Sequence, residues 1–222
     1  MATLIAFDLD GVLYSSEPFI ADAYRDAMEV VNRQRPGSFA RVPTTRAILD
    51  HVGWPVPTIL ARLFPTVDQE AVDLLNAATL DVICARVARH EGTLYAGVPD
   101  VLTALHDAGH LLAVASNGRR RYVESVLETY RLAPLFVEPL AASEVGGKPA
   151  LLREYLGRYE IRPEHAVMVG DRASDVEAAQ AAGCYFVGCD YGHGYREELA
   201  AAGPIVSQFD EIPSAVAYLL HG

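Results

Sequence analysis

A chain of 222 residues, 51% hydrophobic and 21% charged, has an ordinary globular composition and room for one large domain or a domain with a sizeable insertion. Its formal charge of −11 argues against nonspecific binding to nucleic acid or to an anionic membrane surface. No apolar run approaches the ~20 residues of a membrane span, and the start lacks basic residues and enters a strand directly, so a cytoplasmic location without a signal peptide is expected. Cys84, Cys184 and Cys189 are widely placed and form no CxxC or Cys/His ligand spacing, so they read as small core thiols in a reducing compartment, not as zinc ligands or nucleophiles.

The chain opens on Leu4-Ile5-Ala6-Phe7-Asp8-Leu9-Asp10-Gly11-Val12, a short apolar run that predicts a buried strand and stops at two aspartates and a glycine. In open parallel sheets, ligands sit outside the carboxyl ends of the strands. Asp8 and Asp10, two apart, can face one opening. There each raises the pKa of the other unless a cation intervenes. A hard divalent cation with oxygen ligands, most simply Mg2+, is the natural partner. On this stretch alone, a strand followed by an Asp-Gly turn explains the residues equally well.

Tyr14-Ser15-Ser16-Glu17-Pro18 reads as a loop and helix start, with Ser16 as N-cap and Pro18 in the first turn. Ile20, Ala23, Tyr24, Ala27, Met28 and Val31 then fall at helical spacing. Further helices are predicted from Thr45 to Val52, ending at Gly53, from Thr58 to Phe64, and after an Asp68 cap with Ala71, Leu75, Ala78, Val82 and Ala85 on one face. No convincing strand falls between about Ser16 and Glu91, which predicts a separate helical unit. Beyond Gly97 the rhythm becomes helix and strand in alternation: a helix from Pro99 to about Ala108, a strand at Leu111–Ala115, and a helix through about Tyr130. Leu135-Phe136-Val137 is ambiguous; a helix opens at Lys148-Pro149, and strands follow at Ala166–Val169, Tyr185–Gly188 and Ile205-Val206. Near-continuous apolar strands separated by helices indicate a doubly wound, Rossmann-like parallel sheet, an α/β core. The expected division is a core of residues 1–15 and 92–222 with an α-helical insertion at 16–91.

Each core strand or its following loop carries polar residues to the same rim: Asp8 and Asp10 after the first, Ser116 and Asn117 after the second, and Asp171 and Asp175 after Ala166–Val169. Lys148 stands at a helix start. Singly, these are a turn, a surface lysine and a helix-start dipole partner. Together they offer carboxylates for a metal, one obligatory cation and polar donors, a set suited to an anionic phosphate.

The same residues resemble a known family, the haloacid dehalogenase-like hydrolases. Phe7-Asp8-Leu9-Asp10-Gly11-Val12 is similar to its first motif, Val114-Ala115-Ser116-Asn117 to its second, Lys148-Pro149 to its third, and Gly170-Asp171 with Asp175 to its fourth. The helical segment resembles that family's α-helical cap, and Tyr191-Gly192-His193-Gly194 resembles the tail of its phosphoglycolate phosphatase-like branch. The resemblance implies a Mg2+-dependent phosphatase acting on a small phosphorylated metabolite, phosphoglycolate among the candidates, as a monomer or homodimer. It implies that Asp8 attacks phosphorus, and that Asp10 protonates the leaving oxygen and then activates water. Asp8, the main-chain carbonyl of Asp10, Asp171 and Asp175 would serve the metal, with Asp175 alternatively holding Asp171 and Lys148. Ser116 and the backbone near Asn117 would hold phosphoryl oxygens, and Lys148 would offset charge. Many relatives carry Asp where this chain has Ser15, so their cap-facing hydrogen bonds do not transfer. The rival readings are a β-phosphoglucomutase-like phosphomutase, a non-catalytic phosphate-binding regulator, and a haloacid dehalogenase, the last disfavoured by Asp10.

Several residues carry weaker signals. Arg46, His51, Trp54 and Arg62 are where leaving-group contacts are sought, a carboxylated substrate wanting an arginine, although a packed helix pair explains any one of them. Arg119-Arg120-Arg121 could draw anions toward the entrance but reads better as a solvated helix face, and His193, in a Gly-flanked loop that could border the site, reads better as part of a plain turn.

Overall fold

The computed structural model describes residues 3–221. In chain order its strands are β1 (Leu4–Phe7), β2 (Tyr14–Ser15), β3 (Thr93–Leu94), β4 (Leu111–Val114), β5 (Ala166–Gly170), β6 (Tyr185–Cys189) and β7 (Ile205–Val206). The helices are α1 (Ile20–Gln34), α2 (Thr45–Leu49), α3 (Val56–Leu63), α4 (Gln69–Ala88), α5 (Val98–Asp107), α6 (Arg120–Thr129), α7 (Ala142–Val145), α8 (Lys148–Arg158), α9 (Ala173–Ala182), α10 (Arg196–Leu199) and α11 (Ile212–His221).

A five-stranded sheet runs in the order β4-β1-β5-β6-β7, and its pairings are all parallel. Side chains alternate across it. Ile5, Phe7, Leu112, Val114, Val167 and Val169 enter one apolar cluster, shared with α5, α6 and α11. Leu4, Ala6, Ala113 and Met168 enter the other, shared with α8 and α9. Both faces are covered, which is why the strands are apolar throughout. β1 lies between β4 and β5, with Phe7 in register with Val114 on one side and Val169 on the other. The residues that follow these strands therefore emerge side by side at one rim.

Helices α1 to α4 lie between β2 and β3 in the chain and bury their own cluster, with Tyr24, Met28, Ile48, Leu60 and Leu75 at its centre. Phe39 and Phe64 meet edge to face in that cluster, with centroids 5.0 Å apart. Asp68 caps α4 as the sequence predicts, accepting from Ala71 N at 3.0 Å. On α4 the inner face shifts toward its C-terminal end: Thr79, Cys84 and Val87 are buried, whereas Ala85 is exposed. Ser16 is not an N-cap. Helix α1 starts four residues later, after Phe19, because the Ser16 hydroxyl is taken by a tertiary acceptor described below. Tyr14-Ser15, read from sequence as loop, pairs antiparallel with Thr93-Leu94, so a two-stranded ribbon joins the two ends of the helical segment to the core. Phe136 resolves the ambiguous stretch as an isolated parallel bridge to Leu112. Among the described residues no helix is long and apolar enough to cross a membrane.

The Ala71 amide, and behind it Arg35 at 2.9 Å, hold the Asp68 carboxyl below its ordinary range. A depressed carboxyl pKa adds stability above the unfolded value of about 3.9, and that stability is lost as pH falls through the folded value. Asp68→Ala is expected to lower Tm by a few degrees at pH 7, and by progressively less below about pH 4, in thermal melts across that range.

Candidate active site

The rim beyond β4, β1 and β5 gathers charge. The backbone continues the ladder just past the strands: Asp8 N donates to Val169 O at 2.9 Å, and Ala115 N to Phe7 O at 2.7 Å. This fixes Asp8 between the starts of the Ser116 and Asp171 loops. Asp8, Asp10, Asp171, Asp175 and Lys148 are all buried. Carboxylate oxygens of Asp8, Asp171 and Asp175 lie within 4.8 Å of one another.

Lys148, the first residue of α8, enters this group from the side. Its Nζ donates to Asp8 Oδ2 and to Asp175 Oδ1, each at 2.6 Å. Asp8 Oδ1 accepts from Leu9 N at 2.7 Å. Asp175 sits in the first turn of α9 and its Oδ2 accepts from Asp171 N at 3.1 Å and Arg172 N at 3.0 Å. Every oxygen of Asp175 is thus engaged, and it holds both Lys148 and the Asp171 loop. Asp171 Oδ2 accepts from His193 N at 2.6 Å, whereas Asp171 Oδ1 is buried with no partner.

Gly11, Gly192 and Gly194 make room for Asp171. A Cβ on Gly11, whose φ is +89°, would stand 2.3 Å from Asp171 Oδ2, and one on Gly194 would stand 1.7 Å from the Asp171 carbonyl oxygen. No side chain larger than hydrogen fits at either place. His193, read from sequence as part of a plain turn, belongs to the site: its amide grips Asp171, and its ring Nδ1 lies 3.1 Å from Glu17 Oε1.

Burial pushes the Asp8 carboxyl well above the usual range, against the pull of Lys148, with Asp175 and Asp171 adding to the rise. Burial also pushes Asp171 up to about 6, again helped by Asp175. The Lys148 ammonium is opposed by burial, but Asp175 and Asp8 outweigh it and raise its pKa above the ordinary lysine value. One lysine does not balance this many carboxylates. Converging oxygen donors, an unpartnered Asp171 oxygen and an excess of buried negative charge together fit a hard divalent cation such as Mg2+.

Asp10 faces away from that cluster. Ser16 Oγ and Tyr122 OH both donate to its Oδ1 at 2.8 Å, leaving Oδ2 without a protein donor among the described residues. Burial raises its pKa, opposed first by the Ser16 and Tyr122 hydrogen bonds. Asp10 lines a cavity of about 80 Å3 between core and helical segment, walled also by Ser116 and Tyr122 on one side and by Tyr24, Trp54 and Thr79 on the other. Ser116 Oγ accepts from Gly118 N at 3.0 Å, which leaves its own proton available. A larger surface cleft of about 710 Å3, bordered by Arg172 and His193, is lined by neither Asp8 nor Asp10.

The Asn117 side chain is not turned to the carboxylates. It donates across to Gly53 O at 3.0 Å, and Arg172 donates to the adjacent Val52 O at 2.6 Å, so two core residues grip one turn of the helical segment. Arg46 is paired with Asp50 at 2.7 Å and largely exposed, and Arg62 stacks over Trp54 at 4.3 Å. Neither lines the cavity; Arg119 does. Sequence reasoning missed Ser16 and Tyr122 as members of the site, and preferred a plain turn for His193 over a place at its border. The glycines flanking His193 are the one local signal that marks such a close approach.

Comparison with known proteins agrees with this geometry. A phosphoglycolate phosphatase of Vibrio vulnificus (strain YJ016) is 32% identical over 226 residues, covering 98% of this chain and 94% of the relative. A crystal structure described as a predicted phosphoglycolate phosphatase from Haemophilus somnus 129PT superposes with TM-score 0.83 at 25% identity, over 96% of this chain and 97% of that one. Another, described as a predicted phosphatase from Clostridium acetobutylicum, gives TM-score 0.82 at 25% identity over 98% and 99%. Residues 2–183 match the haloacid dehalogenase-like hydrolase family. With three strand-end motifs and Lys148 at the head of α8 gathered at one rim, the chain belongs to the haloacid dehalogenase-like hydrolases and is a phosphatase of that family.

Proposed function

We propose that the chain hydrolyses a small phosphomonoester through an aspartyl-phosphate on Asp8, with phosphoglycolate the leading substrate and residues 16–91 acting as a cap over a core of 1–15 and 92–222. The observation that carries this reading is the contrast between the two acids that leave β1. Asp8 is held in place by Leu9 N and Lys148, among the carboxylates. Asp10 is held by two hydroxyls on one oxygen, keeps the other without a protein donor among the described residues, and lines the cavity. One acid is positioned to attack and the other to carry a proton.

In the first step an Asp8 oxygen forms a bond to phosphorus as the bond to the leaving oxygen breaks. Asp10, whose pKa burial raises, gives a proton to that oxygen. In the second step the Asp10 carboxylate takes a proton from water as the water oxygen bonds to phosphorus and the Asp8–phosphorus bond breaks. Inorganic phosphate leaves and Asp10 is again protonated. Ser116 and Lys148 bind the phosphoryl oxygens and offset their charge. Asp8, the Asp10 carbonyl and Asp171 would hold Mg2+, with Asp175 as their brace; the cation supplies the positive charge that brings phosphate and carboxylates together. The cavity favours a short leaving group over the hexose of a phosphomutase, since about 80 Å3 is far below the 300–1,000 Å3 of ordinary ligand pockets.

Phosphate release measured against phosphoglycolate, hexose phosphates and nucleotides tests the reading; phosphoglycolate is expected to rank first. Asp8→Asn is expected to lose on the order of 10³-fold or more in turnover while its far-UV spectrum is unchanged. Turnover near wild type in that variant removes Asp8 from the nucleophile role. Adding Mg2+ to chelator-treated protein at a hundredfold excess over its Kd is expected to raise Tm by roughly 5–10 °C. Asp171→Asn should abolish most of that rise; an equal rise in the variant would place the cation elsewhere.

A further inference from the structure

The run Arg119-Arg120-Arg121 divides its charges unevenly. Arg120 pairs with Glu144 at 2.7 Å, and Arg121 pairs with Asp81. Arg119 turns inward to the cavity wall and forms no ion pair among the described residues; one of its nitrogens donates to Asn76 O. A guanidinium carries five N–H donors in a fixed fork, so most of this one is unspent.

Thr79 lines the same cavity. Its side chain is 2% exposed and its Oγ1 has no hydrogen-bond partner. Buried hydroxyls are nearly always satisfied, and the surrounding wall of Ile20, Ile48, Ile59 and Leu80 offers nothing polar. A guanidinium with one hydrogen bond to the protein and a hydroxyl with none thus line the same small cavity as Asp10, the acid assigned above to protonate the leaving oxygen.

We propose that Arg119, assisted by Thr79, reads a carboxylate on the leaving group and so makes the enzyme selective for short phosphorylated carboxylic acids. This rests on the hydrolase reading above and adds the residues that choose the substrate. A planar carboxylate matches one guanidinium fork, whereas a second phosphoryl group would bring more charge than this single cation balances. The size of the cavity limits the carbon chain between phosphate and carboxylate to a few atoms, because a single water already needs about 10–15 Å3 of such space.

The test compares kcat/KM for phosphoglycolate with kcat/KM for ethyl phosphate, which has the same carbon count and no carboxylate. Wild type is expected to prefer phosphoglycolate. In Arg119→Gln the preference ratio is expected to fall by about 30-fold or more, with partial recovery in Arg119→Lys. Thr79→Val, which keeps the volume and removes the hydroxyl, is expected to lower the ratio by a smaller factor and covers the case in which Arg119→Gln folds poorly. An unchanged ratio in both Arg119→Gln and Thr79→Val overturns the proposal, since losses shared by the two esters mean that these residues only support the cap. If wild type releases phosphate from neither ester nor from p-nitrophenyl phosphate, the hydrolase reading itself falls and this selectivity falls with it.

Discussion

Four buried aspartates share one buried lysine, and the structure around them is organised to make that arrangement tolerable. Charges removed from water are costly unless paired and hydrogen-bonded. Lys148 bridges two of the carboxylates. The remaining negative charge is met by oriented donors: the amides of Leu9, Asp171, Arg172 and His193, and the hydroxyls of Ser16 and Tyr122. These donors come from turns after strands or from the heads of helices, Asp171 and Arg172 sharing one turn. The parallel order of β4, β1 and β5 puts these turns at one rim, and so the sheet topology and the electrostatics are the same constraint seen at two scales.

The division of labour between the acids follows from small differences in surroundings. Asp175 is saturated by donors and works as a brace. Asp171 keeps one oxygen free beneath glycines that admit no side chain. Asp10 keeps one oxygen without a protein donor among the described residues. Similar carboxylic acids thereby reach different protonation and binding behaviour without any change in residue type.

Much of this was legible before any coordinates. Apolar runs that stop abruptly at Asp8, Ser116 and Asp171 carry their meaning locally, because a buried parallel strand must be apolar and its end must not be. The α4 cap at Asp68 is legible for the same reason: donor and acceptor are three residues apart. What escaped depends on distant partners. Ser16 carries a true helix-start signal, yet the Asp10 carboxylate wins its hydroxyl. Tyr122 is 112 residues from Asp10 in the chain and nothing near it announces the contact. Arg119 is hidden by its neighbours: three successive arginines at a helix start point about 100° apart, and composition does not say which one turns inward. The short ribbon of β2 and β3 is invisible because two residues on each side carry no period.

The grip of Asn117 and Arg172 on the Val52-Gly53 turn has one further consequence. Both donors land on main-chain carbonyls, which every amino acid possesses. The seam therefore reads the backbone of the opposing turn and not its side chains, with Gly53 fixed by its φ of +86° and Val52 by its burial. Residues such as Trp54 and Val56, immediately beyond it, are free to diverge and reshape the enclosed space, while the fastening that shuts it stays intact. A lineage could thus exchange one small ester for another without having to reinvent closure.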